Sequence, residues 1–137
     1  MNFKIGELAA KAGCQIETIR YYERRGLLDA PTRSAGNYRL YGAAHAERLT
    51  FIRRCRSLDM SLDEVQKLLT FQNDPEQPCC GVNDLLDQHI GEIQRKMVEL
   101  QALKDGLVRL RSRCQSNVLV KECEILRDLV TSNAKGS

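Results

Sequence analysis

Six cysteines are spread along the 137-residue chain, Cys14 and Cys55 in its first half and Cys79, Cys80, Cys114 and Cys123 in its second. Thiolates are soft ligands, and three of them together select soft ions such as lead, mercury or cadmium. Cys79 and Cys114 are 35 residues apart, and Cys114 and Cys123 are 9 apart. The stretch from Asn83 to about Arg113 has no proline and carries Leu86, Ile93, Leu100 and Leu107 at intervals of seven, with Leu103 and Leu110 interleaved. That seam predicts one long helix that wants a partner helix. His89 and Lys96 fall where the second seam position is due, so the first half of the stripe reads as impure. A helix of 35 residues holds its ends about 50 Å apart, so Cys79 and Cys114 of one chain cannot share an ion. An antiparallel pair of such helices would bring Cys79 (or Cys80) of one chain to Cys114 and Cys123 of the other. A parallel pair would not, and the seam alone permits both. The competing reading is reduced structural thiols, which suits Cys14 and Cys55 as small buried apolar residues.

Other ligands near these thiols are few. The 115–122 loop offers Glu122, whereas zinc usually takes a fourth ligand such as His or carboxylate. His89 lies about ten residues along from the cysteine pair and reads as a supplementary ligand or as an interfacial histidine.

Composition sets the frame. Apolar residues make up 42% of the chain, enough for a core. Met1–Lys4 leads straight into a helical pattern with no apolar targeting segment, and no apolar run approaches a membrane span. The expectation is a cytosolic protein with reduced thiols rather than a disulfide framework. Net charge is +3 but uneven: residues 1–60 hold 11 Lys and Arg against 6 Asp and Glu, and residues 61–137 hold 10 against 12. A basic first half suits nucleic acid, although such an excess also occurs in proteins that never touch it.

Within that basic half, Ile5–Ala12 and Ile16–Arg24 read as short helices around the Gly13 turn, the second ending near Gly26 as a C′ residue. Two short helices about a glycine turn are a helix-turn-helix pattern. The second exposes Thr18, Arg20, Tyr21 and Arg24, types suited to phosphate and base-edge contacts. Leu27–Tyr41 contains Pro31, Gly36 and Asn37 and reads as a two-stranded ribbon projecting Arg33, Tyr38 and Arg39, a wing beside the helix pair. An ordinary helical hairpin with a surface ribbon shares this pattern. His45–Leu58 is a third helix, strongly cationic through Arg48, Arg53, Arg54 and Arg56. Ser61 and Glu64 form a capping box for a fourth helix to about Thr70. Phe71–Gly81 is a loop, Gln115–Lys121 a second loop, Glu122–Val130 a last helix, and 131–137 a frayed tail. His45 and His89 have no evident nucleophile or carboxylate partner, and no glycine-rich phosphate loop is present, so no enzyme is indicated.

The segments "IGELAAKAG", "TIRYYERRGLL", "GNYRLY" and "RLTFIRRCRSLDMSLDEV" resemble the MerR family of bacterial transcription regulators, and the resemblance runs the length of the chain. "FIRRCRSLDMSLDEV" and "LLDQHI" are most similar to its lead- and cadmium-responsive branch. The resemblance implies a mostly α fold. A winged helix-turn-helix DNA-binding domain (1–70) and a linker loop (71–81) would precede a long antiparallel coiled-coil dimerisation helix (82–113) and a short metal-binding loop, helix and tail (114–137). It implies Cys79 (or Cys80), Cys114 and Cys123 as ligands of a soft divalent ion, lead(II) first, then cadmium(II) or mercury(II). A copper(I) sensor of the family would lack the first of these cysteines. The implied partners are double-stranded promoter DNA, RNA polymerase at the promoter and a second copy of the chain, in a bacterial cytoplasm and with no membrane. Metal-free protein would repress, and metal-bound protein would bend and untwist the promoter spacer. Alternatives on the same frame are a zinc-responsive or a thiol-redox-responsive regulator.

Overall fold

A computed structural model describes residues 2–131. Its helices are α1 (Ile5–Ala12), α2 (Ile16–Arg24), α3 (Ala43–Ser57), α4 (Leu62–Gln72), α5 (Cys80–Arg111) and α6 (Glu124–Thr131). Strands β1 (Thr32–Arg33) and β2 (Arg39–Leu40) lie between α2 and α3, and a 3-10 turn (Val120–Glu122) precedes α6. The chain forms two compact units, one up to Leu85 and one from Leu86 onward. Residues 132–137, most of the expected tail, lie outside the described residues.

Glycines end the first two helices as expected. Gly13 has φ 69°, and the next N–H, that of Cys14, reaches back to the Ala9 carbonyl at 3.0 Å. Gly26 has φ 76°, and the N–H groups of Gly26 and Leu27 bond to Glu23 O at 3.1 Å and Tyr22 O at 2.9 Å. This is a Schellman ending, in which glycine takes the left-handed position at no side-chain cost. The apolar faces of α1, α2, α3 and α4 then meet in one core, where Leu8, Ile19, Leu49, Ile52, Val65 and Leu69 are essentially inaccessible. Cys55 lies in this core and Cys14 packs against it. Burial pushes both thiols up, with Arg53 partly opposing it at Cys14. That environment suits the structural role expected of them.

The cationic α3 is more self-contained than its sequence suggested. Arg48 donates to Leu27 O at 3.2 Å, Arg53 to Ala12 O and Arg56 to Met60 O at 2.7 Å. These guanidiniums satisfy carbonyls at segment ends, including the carbonyl end of α1. The capping box at the start of α4 forms as expected, with Glu64 N–H donating to Ser61 Oγ at 3.1 Å and Ser61 N–H to Glu64 Oε1 at 2.9 Å.

The long helix α5 begins at Cys80, three residues before the expected Asn83, and runs unbroken for 32 residues. Its apolar stripe is purer than the sevenfold spacing implied. In the first half the second seam position is filled one residue later than His89 and Lys96, by Ile90 and Met97, which are 53% and 63% exposed. His89 is off this face, with Nδ1 3.8 Å from Glu92 Oε2 one turn along. Leu100, Leu103 and Leu107 continue the stripe and are also exposed. No helix among the described residues is long and apolar enough to cross a membrane.

Candidate nucleic-acid face and metal-binding thiols

Helix α2 and the wing carry the basic and aromatic residues expected to meet nucleic acid. Arg20 and Tyr21 are exposed on α2, and Thr18 is half-buried. The Tyr21 hydroxyl accepts from Arg25 Nη1 at 3.2 Å, and the guanidiniums of Arg24 and Arg25 each lie 5.9 Å from its ring centre. Arg25 also reaches Asp63 at the start of α4, at 3.3 Å. In the wing the antiparallel register sets Thr32 opposite Leu40 and Arg33 opposite Arg39. A tight turn closes it: Ser34 N–H donates to Tyr38 O at 2.9 Å, and Asn37 takes φ 65°. Like charges directly opposite each other on a ribbon repel. Arg33 offsets this by donating to Asn37 O at 3.2 Å, and Arg39 by facing Glu23 at 3.5 Å. A phosphate between the two guanidiniums would relieve the rest. Tyr38 is 64% exposed at the tip side, with Lys4 Nζ 5.4 Å from its ring centre.

A shallow cleft of about 420 Å³ joins the two elements, lined by Arg20, Glu23, Arg24 and Arg39. Charge and spacing pointed to its arginines. They gave no sign of Glu23, whose partners come from the wing.

The thiols sit at helix ends. Cys79 O accepts the N–H of Asn83 at 3.0 Å, which makes Cys79 the N-cap of α5 and Cys80 its first helical residue. Both are exposed. Gly81 lies in the first turn of α5, where an added Cβ would stand 2.5 Å from the Phe71 ring. Only hydrogen lets that ring close over the first turn.

Beyond the other end of α5, Cys114 N–H reaches Arg111 O at 3.4 Å, and Arg111 Nη1 returns to Cys114 O at 2.8 Å. Cys114 Sγ accepts the N–H of Ser116 at 3.4 Å. Cys123 is the N-cap of α6, its carbonyl accepting from Arg127 N–H at 3.2 Å. Its sulfur lies beside the Leu126 and Ile125 N–H groups of the first turn of α6 and beside the Cys114 side chain. The Leu126 N–H is the largest cause of a Cys123 thiol held below its ordinary range, helped by Ile125 and Cys114 and opposed by slight burial and by Glu124. More of it is thiolate near neutral pH, so a metal displaces fewer protons there. An ion pair of 3.4 Å between Arg113 and Asp128 clips α6 to the end of α5.

The structure therefore brings Cys114 and Cys123 together within one chain and leaves Cys79 and Cys80 at the far end of α5. Two adjacent sulfurs supported by backbone N–H groups suit a soft ion. Glu122 lies exposed in the 3-10 turn, and the sequence between the two thiols holds no histidine. His89 belongs to neither thiol cluster.

The profile of the MerR HTH family regulatory protein matches residues 3–72, and that described as MerR, DNA binding, matches residues 46–110. An HTH-type transcriptional regulator, a ZntR homolog from Haemophilus influenzae, is 46% identical over 114 residues, covering 83% of this chain and 84% of its own. The mercuric resistance operon regulatory protein of Bacillus cereus is 41% identical, covering 95% of this chain and 98% of its own. Among solved structures, the transcription regulator PbrR691 from Ralstonia metallidurans CH34, in complex with lead(II), superposes with a TM-score of 0.83 at 50% identity, over 93% of this chain and 98% of its own.

With its winged helix pair, long helix and these relatives, the chain belongs to the MerR family of helix-turn-helix transcriptional regulators. It is a regulator and not an enzyme.

Proposed function

We propose that the protein is a soft-metal-responsive regulator of promoter DNA that acts as a homodimer in the bacterial cytoplasm. Its inducer is lead(II) first, with cadmium(II) or mercury(II) next. The observation that carries this reading is the proximity of Cys114 and Cys123 at the N-terminus of α6, the Cys114 side chain lying beside the Cys123 sulfur. The third ligand is Cys79 or Cys80 from a second chain. Helix α5 runs unbroken for 32 residues, about 48 Å, so its two ends cannot meet within one chain. Antiparallel pairing of two such helices along Leu86, Ile90, Ile93, Met97, Leu100 and Leu107 unites opposite ends and covers an apolar stripe that is otherwise left to water. Bound there, the ion would supply metal–sulfur bonds that join the two chains.

Support for the inducer comes from the donor set and from two relatives, a lead(II) complex and a mercuric resistance regulator. The division of labour follows the chain: residues 1–70 read DNA, 71–81 link, 82–113 dimerise, and 114–137 complete the metal site. Thr18, Arg20, Tyr21, Arg33, Tyr38 and Arg39 make the DNA contacts. The metal-free dimer represses. The dimer state that binds metal more tightly holds the promoter spacer bent and untwisted, so that RNA polymerase engages both promoter elements. A thiol-redox reading on the same frame rests on the closeness of Cys114 to Cys123.

The test is a titration of the reduced protein with lead, cadmium, mercury and zinc salts, following thiolate-to-metal charge-transfer absorbance. Lead should bind more tightly than zinc, and either Cys79→Ser or Cys80→Ser should lose the lead band. Equal affinity for zinc would remove the lead assignment. Activation of transcription by peroxide without metal would favour the redox reading.

A further inference from the structure

Among the described residues, Glu23 is the one acidic side chain lining the cleft shared by Arg20, Arg24 and Arg39. A carboxylate among guanidiniums that await phosphate needs a reason, since it repels the ligand they attract. Its side chain is only 13% exposed. One oxygen accepts the phenol hydrogen of Tyr41, and the other lies 3.5 Å from Arg39 Nη1. Tyr41 is fully buried directly after β2, and its backbone pairs with Phe3 through bonds of 2.6 and 2.8 Å. Burial first, and Glu23 next, push its phenol up to about 12, so it remains a donor at neutral pH. Arg39 lies beside both the Glu23 carboxylate and the Tyr41 hydroxyl and keeps 43% of its side chain exposed. The same carboxylate thus ties α2 to the wing at two points, one buried and one open to solvent.

We propose that Glu23 is a specificity-determining positioning residue: it locks the wing to α2 through Tyr41 and makes phosphate contact by Arg39 conditional on a duplex that fits both elements. The Glu23 carboxylate competes with phosphate for Arg39: a fitted duplex meets Arg39 with the pair intact, whereas a scrambled duplex reaches it only by parting the pair, so the cost falls on the scrambled duplex alone. The inference rests on reading α2 and the wing as the DNA-facing surface.

The experiment measures affinities of the full-length protein, across a salt series, for two duplexes: one selected by the wild type from a randomised pool, and a scrambled version of it. The variants are Glu23→Gln, Arg39→Gln, the double variant and Arg20→Ala. Glutamine keeps an acceptor for Tyr41 and removes only the charge, so the fold is retained. Glu23→Gln should bind the scrambled duplex more tightly and lower discrimination by about threefold or more, the scale of a partly exposed charge pair. That gain should vanish when Arg39 is already glutamine, as a double-mutant cycle reads directly. Unchanged discrimination in Glu23→Gln, or a gain that persists without Arg39, would overturn the proposal. An Arg20→Ala protein with unaltered affinity for both duplexes would overturn the DNA-facing reading beneath it.

Discussion

Replacing Cys123 by serine should abolish induction by metal and leave operator occupancy in the metal-free state unchanged. The sulfur is lost from a position where Leu126 and Ile125 N–H groups and Cys114 converge. Serine retains the N-cap role, because its hydroxyl accepts the same kind of bond, so α6 still forms. What disappears is a soft donor that oxygen does not replace. Changes to groups that merely orient metal ligands cost 10–100-fold in affinity, so loss of a ligand should cost on the order of 100-fold or more. The check is a reporter assay with graded lead(II) beside a gel-shift titration of metal-free protein. A Cys123→Ser protein that still induces at the wild-type concentration would remove Cys123 from the site. Cys114→Ser should behave in the same way, since Cys114 is the neighbour of that sulfur. Cys14→Ser and Cys55→Ser should leave induction intact, since these thiols belong to the core of the first unit.

A charge placed in the exposed stripe of α5 should break the proposed dimer. Leu100, Leu103 and Leu107 are each about two-thirds exposed among the described residues. Burial of one leucine is worth about 1.5–3 kcal/mol, and a symmetric dimer counts each position twice. Leu100→Lys therefore removes roughly 3–6 kcal/mol and weakens association by about 10²- to 10⁴-fold. Sedimentation equilibrium should show monomer at micromolar concentration, with loss of both metal binding and tight operator binding. Retention of the wild-type dimer by Leu100→Lys would show that a different face mediates association.

These expectations differ in how far the sequence foreshadowed them. Helices α1 and α2 fell where the local pattern put them, because Gly13 and Gly26 are short-range signals that act within a few residues. The capping box of Ser61 and Glu64 was legible for the same reason. What depends on distant partners was not. The Phe71 ring packs over Gly81, ten residues away, in the first turn of α5, and the long helix begins earlier than its apolar repeat suggested. Arg53 looked like part of a basic face until its partner proved to be the carbonyl of Ala12, 41 residues earlier. The three-residue step of the α5 stripe falls on His89 and Lys96, which interrupts it. The four-residue step to Ile90 and Met97 keeps it apolar. In the candidate site, spacing and softness singled out the cysteines. Spacing could not show that Cys123 caps α6, since cysteine is outside the usual N-cap set and its capping bonds appear only once α6 has formed. Glu23 was hidden because its meaning depends on Tyr41 and Arg39 folding back from the wing.

If a complete metal site needs both chains, a mixed dimer of two defective chains should restore it. One chain carries Cys79→Ser with Cys80→Ser, and the other carries Cys114→Ser with Cys123→Ser. Neither parent dimer can assemble three thiolates at any site. In the mixed dimer the first chain still offers Cys114 and Cys123, and the second still offers Cys79 and Cys80. The purified mixed dimer should regain the lead–thiolate absorbance at one ion per two chains. A mixed dimer as silent as its parents would contradict a site shared between chains.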